Sequence, residues 1–536
     1  MTFKRVLPLI FLFLTFLGLC LPGLKLGLPS ETGVLTTLHP DEPVTFRSLE
    51  RMNPAKLDFF PGDALYWGTF QVYAVGALIK SLDAIGALNL GDRNKLKTDL
   101  LQVDKMYLAG RLLSVFFGGL STVVLYLLGC LLLDRRAAFF AALLLVFSHA
   151  SVMAASFLRP DSIMLFWGLL SVYFSFKLLR VPSNSNCALA GFFLGLACVT
   201  KYSAVLFVFF PIAVHIYHVR NSHDFVSGFK KIGLFCIAWL ASFLAFNPYL
   251  LLEFSRELQY MSAVAYLGGI YDVTLKSYTA YFLSVLPAAF GWSMVPFGLA
   301  AAARWLSGPA YEKRIIAVYC TLFLAWAGAT SYTYVLYTLL VAPFIFLASG
   351  DLAHSLFDKR WGKIIVIAVF AQVLFYTLFI KRNYISDYTI KEADSWIRQN
   401  LPEGSTIAIS KNYIWTPFVI RRHSGSFKII EGASSHSIVL YAVVELGKIY
   451  SKADYVVISE KEYAAIKANP EKYAVAYAAL EKIFSGTKEV KRFEKKLPFY
   501  VLPFDYNDRN LVDLNNLNLQ VNFMNPDIRV LKVIKK

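Results

Sequence analysis

Long apolar runs recur along most of this chain, and they constrain its fold more than any other feature. The first extends from Val6 to Leu24, and others follow at about 107 to 133, 137 to 157, 162 to 179, 187 to 199, 203 to 219, 230 to 250, 279 to 303, 314 to 330, 332 to 349 and 363 to 380. A helix needs ~20 residues to cross a hydrocarbon core of ~30 Å. The run at 187–199 is short, so we expect it to tilt or to include flanking residues. The pattern predicts a polytopic α-helical membrane protein with about eleven transmembrane helices.

Composition excludes a soluble globule and argues against a nucleic-acid partner. Hydrophobic residues make up 57% of the chain and charged residues only 17%, and the mean hydropathy is +0.52. The net charge of +17 comes from basic residues that cluster in short stretches between apolar runs. Such clusters are typical of cytoplasmic loops that contact anionic lipid. The six cysteines all lie at or before Cys320 and suggest neither a disulfide framework nor a cysteine metal site.

The short loops predict the orientation, because Lys and Arg are retained on the cytoplasmic side. With the N-terminus inside, every second loop is basic, as at Arg135 and Arg136, Lys177 and Arg180, Lys230 and Lys231, Lys313 and Arg314, and Lys359 and Arg360. An odd number of crossings then places the loop 25–106 and the tail 381–536 outside. We therefore predict a transmembrane domain at 1–380 and an extracytoplasmic domain at 381–536.

The tail differs from the rest of the chain in its periodicity. The segment "DYTIKEADSWIRQN" has amphipathic helical spacing, while "TIAIS" and "ADYVVIS" read as strands. A helical stretch, "EKEYAAIKANPEKYAVAYAALEKIF", is interrupted near Pro470, and "EVKRF" and "IRVLKV" form a plausible final strand pair. Alternating helices and strands predict a small α/β domain.

Ionisable and aromatic residues are concentrated at the predicted outer ends of the helices. Ionisable groups at membrane depth cost ~2.5 to 3.5 kcal/mol each, so they tend to line functional cavities. The alternative is that these residues are polar only because turns are exposed to solvent. The residues concerned lie in "LHPDEP", "FLRPDS", "VTKYS" and "TSYTYVLY" and are Asp41, Glu42, Arg159, Asp161, Lys201 and Tyr334.

Five stretches resemble one known superfamily, in the same order along the chain. They are "LHPDEP", "YLAGRLLSVFFGGLSTVVLY", "RPDSIMLFWGLLSVYF", "GLACVTKYSAVLFVFFP" and "ADSWIRQNLPEGSTIAIS". Together they are similar to the GT-C glycosyltransferases, in the branch that contains protein O-mannosyltransferases and the lipid A aminoarabinose transferase. The resemblance implies a GT-C fold and places Asp41 at the reaction centre. One departure is "SYTYVLYTLLVAP", because relatives often carry an Arg-Tyr pair before a similar stretch.

The chemistry that the resemblance implies needs a base for the incoming nucleophile and cations for a leaving phosphate. Asp41 is the candidate base, and Glu42 is expected to orient its surroundings. Lys201 is the first candidate for the phosphate, followed by Arg111 and Arg159. Each cation has a structural alternative: an interfacial anchor for Arg111, a pair with Asp161 for Arg159, and snorkelling for Lys201.

Two further expectations concern a metal and a binding groove. Asp161 could hold a divalent cation such as Mg or Mn together with Asp41, or it could position the outer loop through hydrogen bonds. In "LYWGTFQVY", Tyr66, Trp67 and Tyr73 could line a substrate groove, as could Tyr334. The alternative for these aromatic residues is an interfacial belt.

The sequence therefore predicts a membrane glycosyltransferase that uses a polyprenyl-phosphate-linked sugar and a lipid, glycan or protein acceptor at the outer face. A secondary transporter of a polar or anionic solute and a non-catalytic scaffold or sensor are the alternatives. The transporter is disfavoured because we detect no inverted repeat and the ionisable residues lie at the rim rather than at mid-bilayer. No retention signal is evident, so we expect a prokaryotic plasma (inner) membrane.

Overall fold

The chain forms two compact units. In the computed structural model they comprise Met1–Leu24, Asp41–Leu90 and Lys105–Leu378 for the first, and Lys25–Pro40, Gly91–Asp104 and Phe379–Lys536 for the second. Two stretches of the predicted first outer loop thus belong to the second unit. The residues that the structure describes are 3–39, 41–62, 68–222, 225–255, 258–259, 262, 275–329, 334–382, 384–410, 417, 425–432, 439–468, 470–471, 473–495 and 525–534.

The regular secondary structure among the described residues of the first unit is mainly α-helical. Its α-helices are Phe3–Cys20, Glu42–Arg51, Phe70–Ala84, Leu100–Leu132, which begins in the second unit, Arg135–Phe147, His149–Ala155, Asp161–Arg180, Asn184–Thr200, Phe209–Ser222, Phe225–Phe246, Tyr249–Leu252, Leu275–Ala280, Leu286–Phe290, Met294–Leu306, Tyr311–Gly328, Ala342–Phe357 and Arg360–Arg382. A π-helix occurs at Tyr281–Val285, and short 3₁₀-helices occur at Pro54–Lys56, Tyr202–Val208 and Val335–Leu340. The last of these follows residues 330–333, which lie outside the described part.

Several of these helices can cross a bilayer. Within the described residues, 5 helices are long and apolar enough to span, or 7 if each of two bent helix pairs counts as one span. Shorter apolar helices add Val6–Cys20, Asn184–Thr200 and Ala342–Phe357. The chain is therefore an integral membrane protein, and the eleven crossings expected from the sequence remain a prediction.

The two bent pairs replace predicted straight runs. The run at 137–157 is divided into Arg135–Phe147 and His149–Ala155, which meet at 57°. The run at 279–303 is divided at 291–293 and turns through 102°. Gly291 has a φ of +87°, which favours glycine, and a Cβ there would lie 2.7 Å from the Gln372 side chain. The break therefore depends on a residue without a side chain.

Small residues allow the helix that leads to Lys201 to pack tightly. Within Asn184–Thr200, a Cβ on Gly191 would lie 2.2 Å from the Phe235 carbonyl oxygen, and one on Gly195 would lie 1.8 Å from the Ser242 hydroxyl. Close backbone approach through small residues is a common basis of helix association in membranes. This packing brings the helix close to the helix Phe225–Phe246.

In the part that the structure describes, the second unit contains a five-stranded mixed sheet. Its strands are β1 (Thr406–Ile409), β2 (Lys428–Glu431), β3 (Tyr455–Ser459), β4 (Thr487–Phe493) and β5 (Ile528–Val533), in the order β2-β1-β3-β5-β4. β1 pairs in parallel with β2 and β3, whereas β5 pairs antiparallel with β3 and β4. The helices of this unit are Pro29–Thr32, Arg93–Thr98, Thr389–Asn400, Val439–Ile449, Glu460–Ala468 and Ala474–Ser485, with a short turn at Tyr450–Lys452.

A buried carboxyl group lies just beyond the carboxyl ends of β1 and β3. Glu462, in Glu460–Ala468, is 5% exposed. One of its oxygens accepts a hydrogen bond from the Ser410 hydroxyl, and the other accepts one from the Ser459 backbone N–H at 2.7 Å. Burial raises the pKa of Glu462 to about 7, although the Ser459 hydrogen bonds act to lower it. This group is therefore held by neutral donors.

Candidate active site

The acidic pair lies at the start of the helix Glu42–Arg51. Asp41 is the residue before the helix, and a proline in the first turn favours a helix start at this point. The Asp41 side chain makes no capping hydrogen bond to this helix. Successive residues near a helix point in different directions, so the two carboxylates can reach different partners.

Glu42 forms a fully buried ion pair with Arg111. The guanidinium donates from Nε and Nη2 to the two carboxylate oxygens at 2.8 and 2.7 Å, and both side chains are 0% exposed. Glu42 also accepts from the Leu158 backbone N–H at 2.8 Å, while Arg111 donates to the Leu24 carbonyl. A bidentate pair with further hydrogen bonds is the geometry in which buried charges are tolerated.

This pair gives Arg111 a different role from the one that the sequence suggested. A fully buried guanidinium already bound to Glu42 is not accessible to a phosphate as it stands. Instead the pair joins the acidic loop, which comprises Asp41 and the first turn of Glu42–Arg51, to the helix Leu100–Leu132 and to the backbone of Leu158. Arg111 is thus the partner of Glu42, and the expected role of Glu42 in orienting the surroundings of Asp41 remains a prediction.

Three separate segments bring four charged groups together in a row. Asp41 Oδ2 lies 3.3 Å from Arg159 Nη1, Arg159 Nε lies 3.1 Å from Asp161 Oδ2, and Asp161 Oδ1 lies 2.7 Å from Lys201 Nζ. We call these four residues the charge cluster. The side chain of Asp41 is 31% exposed, whereas those of Arg159, Asp161 and Lys201 are 6%, 0% and 12% exposed. Asp41 is therefore the open end of the cluster.

Local sequence explains why these side chains meet. Asp161 is the first residue of the helix Asp161–Arg180, where the helix dipole stabilises a negative charge. Pro160 precedes it and separates it from Arg159. Lys201 follows the helix Asn184–Thr200 in an extended conformation and begins the turn of Tyr202–Val208. Both cations thus stand at helix boundaries, where side chains can turn toward one point.

Two tyrosines flank the cations of the charge cluster. Arg159 Nη1 donates to the Tyr334 hydroxyl at 2.6 Å, and Lys201 Nζ lies 5.2 Å from the ring centroid of Tyr337. The turn Val335–Leu340 is a 3₁₀-helix, in which residues three apart lie on the same side. Tyr334 was expected in the substrate groove, whereas Tyr337 was missed. The three-residue spacing in "YVLY" was the signal that could have identified it.

The environment of Asp41 suits a proton acceptor. Burial raises the pKa of its carboxyl above the usual range, and the nearby Asp161 acts in the same direction. Arg159 and Lys201 oppose this by stabilising the charged form. A carboxylate with a raised pKa is a stronger base than a solvated one, so the group can take a proton from a hydroxyl or amine in the transition state.

The charge cluster does not fit a divalent cation as it is arranged. Mg²⁺ and Mn²⁺ require several oxygen ligands, and both oxygens of Asp161 already face the cations Lys201 and Arg159. A metal ion between Asp41 and Asp161 would also lie beside two positive charges. Among the described residues, no group of three or more His, Cys, Asp or Glu side chains could hold a metal ion.

The expected aromatic groove is only partly described. Tyr66 and Trp67 lie outside the described residues. The Tyr73 hydroxyl donates to the Phe59 carbonyl at 3.0 Å, and the Phe59 N–H donates to the Tyr249 hydroxyl at 3.0 Å. Phe59 therefore links Tyr73, in the helix Phe70–Ala84, to Tyr249, which follows the helix Phe225–Phe246.

A glycine brings the first loop against the helix that ends before Lys201. Gly68 has a φ of +124°, and a Cβ there would lie only 2.1 Å from the Val199 carbonyl oxygen. No other residue fits this contact without moving one of the two backbones. The loop thus reaches the same helix end as the charge cluster.

Comparison with known proteins gives a family match over part of the chain. Residues 96–251 match the family described as dolichyl-phosphate-mannose-protein mannosyltransferase. This range is under a third of the chain, but it contains Arg111, Arg159, Asp161 and Lys201. None of the curated proteins matches the sequence.

Solved structures show weaker similarity. The oligosaccharyltransferase of Archaeoglobus fulgidus, tethered to an acceptor peptide with an NVT sequon, is 13% identical, with 92% of this chain and 73% of that chain covered and a TM-score of 0.49. ArnT from Cupriavidus metallidurans, bound to undecaprenyl phosphate, is 12% identical, with 87% and 94% covered and a TM-score of 0.49. TM-scores below 0.5 assign neither a fold nor an activity to this chain. The family match over residues 96–251 is therefore a similarity of this part of the chain to the mannosyltransferase family, in line with the expected glycosyltransferase class.

Proposed function

We propose that this chain is an integral membrane glycosyltransferase that transfers a sugar from a polyprenyl-phosphate-linked donor to an acceptor at the extracytoplasmic face. The observation that carries this proposal is the charge cluster, in which a partly exposed carboxylate lies beside two almost buried cations. Transfer from a lipid phosphate needs a proton acceptor and a cationic site for the leaving phosphate. The family match over residues 96–251 supports the same class of reaction.

Asp41 accepts the proton of the acceptor in this proposal. It is the most exposed member of the charge cluster and is held in place by the adjacent Glu42–Arg111 pair. As the acceptor hydroxyl or amine attacks the anomeric carbon, the carboxylate removes its proton and the bond from the sugar to the phosphate oxygen breaks. General base catalysis of this kind contributes typically ~10² to 10⁴ in rate.

Lys201 and Arg159 stabilise the charge that develops on the phosphate. Both lie behind Asp41 in a poorly hydrated environment, where a fixed cation stabilises a developing anion more strongly than it does in water. Tyr334, hydrogen bonded to Arg159, and Tyr337, beside Lys201, line the same site. We assign them to the donor side of the groove.

The proposal extends to the partners and the location. The donor lipid enters from the bilayer, and the acceptor is a lipid, glycan or protein at the outer face of a prokaryotic inner membrane. This orientation predicts that a cysteine introduced beside Asp41 reacts with an impermeant reagent in intact cells. One introduced near Arg135 should not react, and labelling at Arg135 alone would refute the outward orientation.

The proposed function is tested by removing the gene from cells and by complementing it with the Asp41→Asn variant. Mass spectrometry of lipid-linked sugars and glycosylated products should show donor accumulation and product loss when the gene is removed. Complementation with Asp41→Asn should restore the protein but not the product, with turnover lower by ~10² to 10⁴. Because the pKa of Asp41 is raised, wild-type activity should decline as pH falls through a value above that of an ordinary aspartate. Uptake of a solute without any change in donor lipid would instead identify a transporter.

A further inference from the structure

Asp161 occupies the position between the two cations that the proposed reaction needs for phosphate. One carboxylate oxygen lies 2.7 Å from Lys201 and the other lies 3.1 Å from Arg159. A phosphate that binds both cations must therefore share them with this carboxylate. Asp161 is 0% exposed, so neither substrate nor solvent reaches it from the open side.

The charges of the cluster match one state of the phosphate better than the other. Asp161, Arg159 and Lys201 together carry one positive charge, and Asp41 brings the four-residue total to zero. A sugar linked to a polyprenyl phosphate is a phosphodiester with one negative charge. After the sugar leaves, the lipid phosphate is a monoester with a charge of about −1.5 to −2 at pH 7. The cluster therefore suits the diester, while two cations without Asp161 would suit the monoester.

We propose that Asp161 partly neutralises the positive charge of Lys201 and Arg159 so that the lipid monophosphate product leaves the site, an inference that rests on the proposed function. An interaction that holds the product as strongly as the transition state does not raise turnover, because release then becomes limiting. Asp161 lowers the positive charge that remains at the site after transfer. It is a positioning residue, because it acts through the two cations and does not touch the reacting atoms.

Burial distinguishes Asp161 from Asp41 in this respect. Asp41 is 31% exposed and lies 3.3 Å from Arg159, a longer distance than either ion pair of Asp161. Asp161 contacts both cations at shorter distances and is buried. Charges interact more strongly in the interior of a protein than in water. Removal of its charge should therefore change the affinity for a dianion more than removal of the charge of Asp41.

Equilibrium binding to the purified full-length protein tests the inference. The probes are undecaprenyl monophosphate, which carries up to two charges, and its methyl diester, which carries one. Asp161→Asn should bind the monoester about tenfold or more tightly than wild type does, and the diester with a change below about threefold. Steady-state transfer by this variant should be slower and preceded by a burst of product, because product release has become limiting.

Matched variants separate charge from general damage. Asp161→Glu retains the charge and should keep the monoester affinity within about threefold of wild type. Asp351→Asn removes a carboxylate that pairs with Lys313 at 3.0 Å and should leave binding of both probes unchanged. If Asp161→Asn does not fold, wild type alone gives a readout, since it should prefer the monoester over the diester by less than about threefold at pH 7.5.

The possible results are distinct. Weaker or unchanged monoester binding by folded Asp161→Asn would overturn the proposed role of Asp161 in product release and leave the proposed reaction intact. A wild-type preference for the monoester above about threefold would overturn it as well. Wild-type protein that binds neither lipid phosphate would overturn the proposed function itself.

Discussion

Each compact unit of this chain buries a glutamate, and the two are held in different ways. Glu42 in the first unit is bound by the Arg111 guanidinium through two short hydrogen bonds. Glu462 in the second unit is bound by a hydroxyl and a backbone N–H, and burial raises its pKa to about 7. The partner, not the residue type or the burial, decides whether a buried carboxyl can remain charged.

The same contrast explains where the candidate chemistry lies. In the first unit, cations from other segments neutralise the buried carboxylates, so a charged site can exist within a membrane protein. Asp41 combines this environment with partial exposure and can therefore meet a substrate. Glu462 has no such opening, because it is 5% exposed and belongs to the interior of its unit. The difference can be tested from both sides.

Breaking the charged pair should produce the largest effect on stability. Glu42→Gln leaves the buried Arg111 without its counter-ion and should destabilise the first unit by ~3 to 5 kcal/mol. Thermal unfolding in detergent, followed by intrinsic fluorescence, measures the loss. The double variant Glu42→Gln with Arg111→Met removes both charges and should recover much of it.

Glu50→Gln, in the same helix but exposed, is the control and should have little effect. Equal stability of Glu42→Gln and wild type would mean that the pair does not hold the acidic loop. Since Glu42 acts through position, its loss should reduce turnover of the folded fraction less than Asp41→Asn does.

Glu462, which is held by neutral donors, should make the stability of the second unit depend on pH. The pKa of Glu462 is raised from 4.5 to about 7 on folding, so the unfolded chain binds fewer protons between these values. The second unit should therefore lose about 3 kcal/mol as pH rises from about 4.5 through about 7. Glu462→Gln keeps the shape and should abolish this dependence. Hydrogen exchange of β1 and β3 in the full chain, corrected for intrinsic rates, measures the stability of the second unit at each pH. The same pH dependence in wild type and Glu462→Gln would contradict the raised pKa of Glu462.

Lys201 tests whether charge or shape matters in the charge cluster. Lys201→Ala should lower turnover by about 10², whereas Lys201→Arg should retain part of it because the positive charge remains. The measurement is sugar transfer at saturating donor. Equal activity in the three proteins would show that Lys201 only extends toward the membrane surface.

Tyr337 should give the smallest effect. An aromatic ring beside a cation contributes ~0.5 to 2 kcal/mol, so Tyr337→Leu should weaken donor binding several-fold while Tyr337→Phe stays close to wild type. Donor titrations of the two variants measure the difference. Equal weakening of donor binding in both variants would assign the effect to the hydroxyl, and wild-type binding in both would show that Tyr337 does not contact the donor.

Sequence reasoning located most helices but not their breaks. The helix Asp161–Arg180 lies on the predicted run at 162–179, because apolar length and flanking charges are local signals. The break at Gly291 was missed, because a hydropathy pattern records composition and not a single left-handed residue. In the tail, β1 and β3 fall on "TIAIS" and "ADYVVIS", whose β-branched residues are again local signals.

The site shows the same limit. Asp41, Arg159, Asp161 and Lys201 could be proposed together, because each lies at a predicted helix end on one side of the membrane. Arg111 could be selected but not given its role, since its partner Glu42 lies 69 residues away. Which cation meets which carboxylate depends on tertiary distance, and one sequence does not contain that information.

The Glu42–Arg111 pair also imposes an order on biogenesis. Glu42 is fully buried in contact with Arg111 and with the backbone of Leu158, and these partners follow it in the chain by 69 and 116 residues. An unpaired carboxylate is costly to bury, so the loop must wait in water until the helices that carry these partners have been inserted. The acidic loop is therefore a late-docking segment, and Asp41 meets Arg159 only after membrane insertion has passed residue 159.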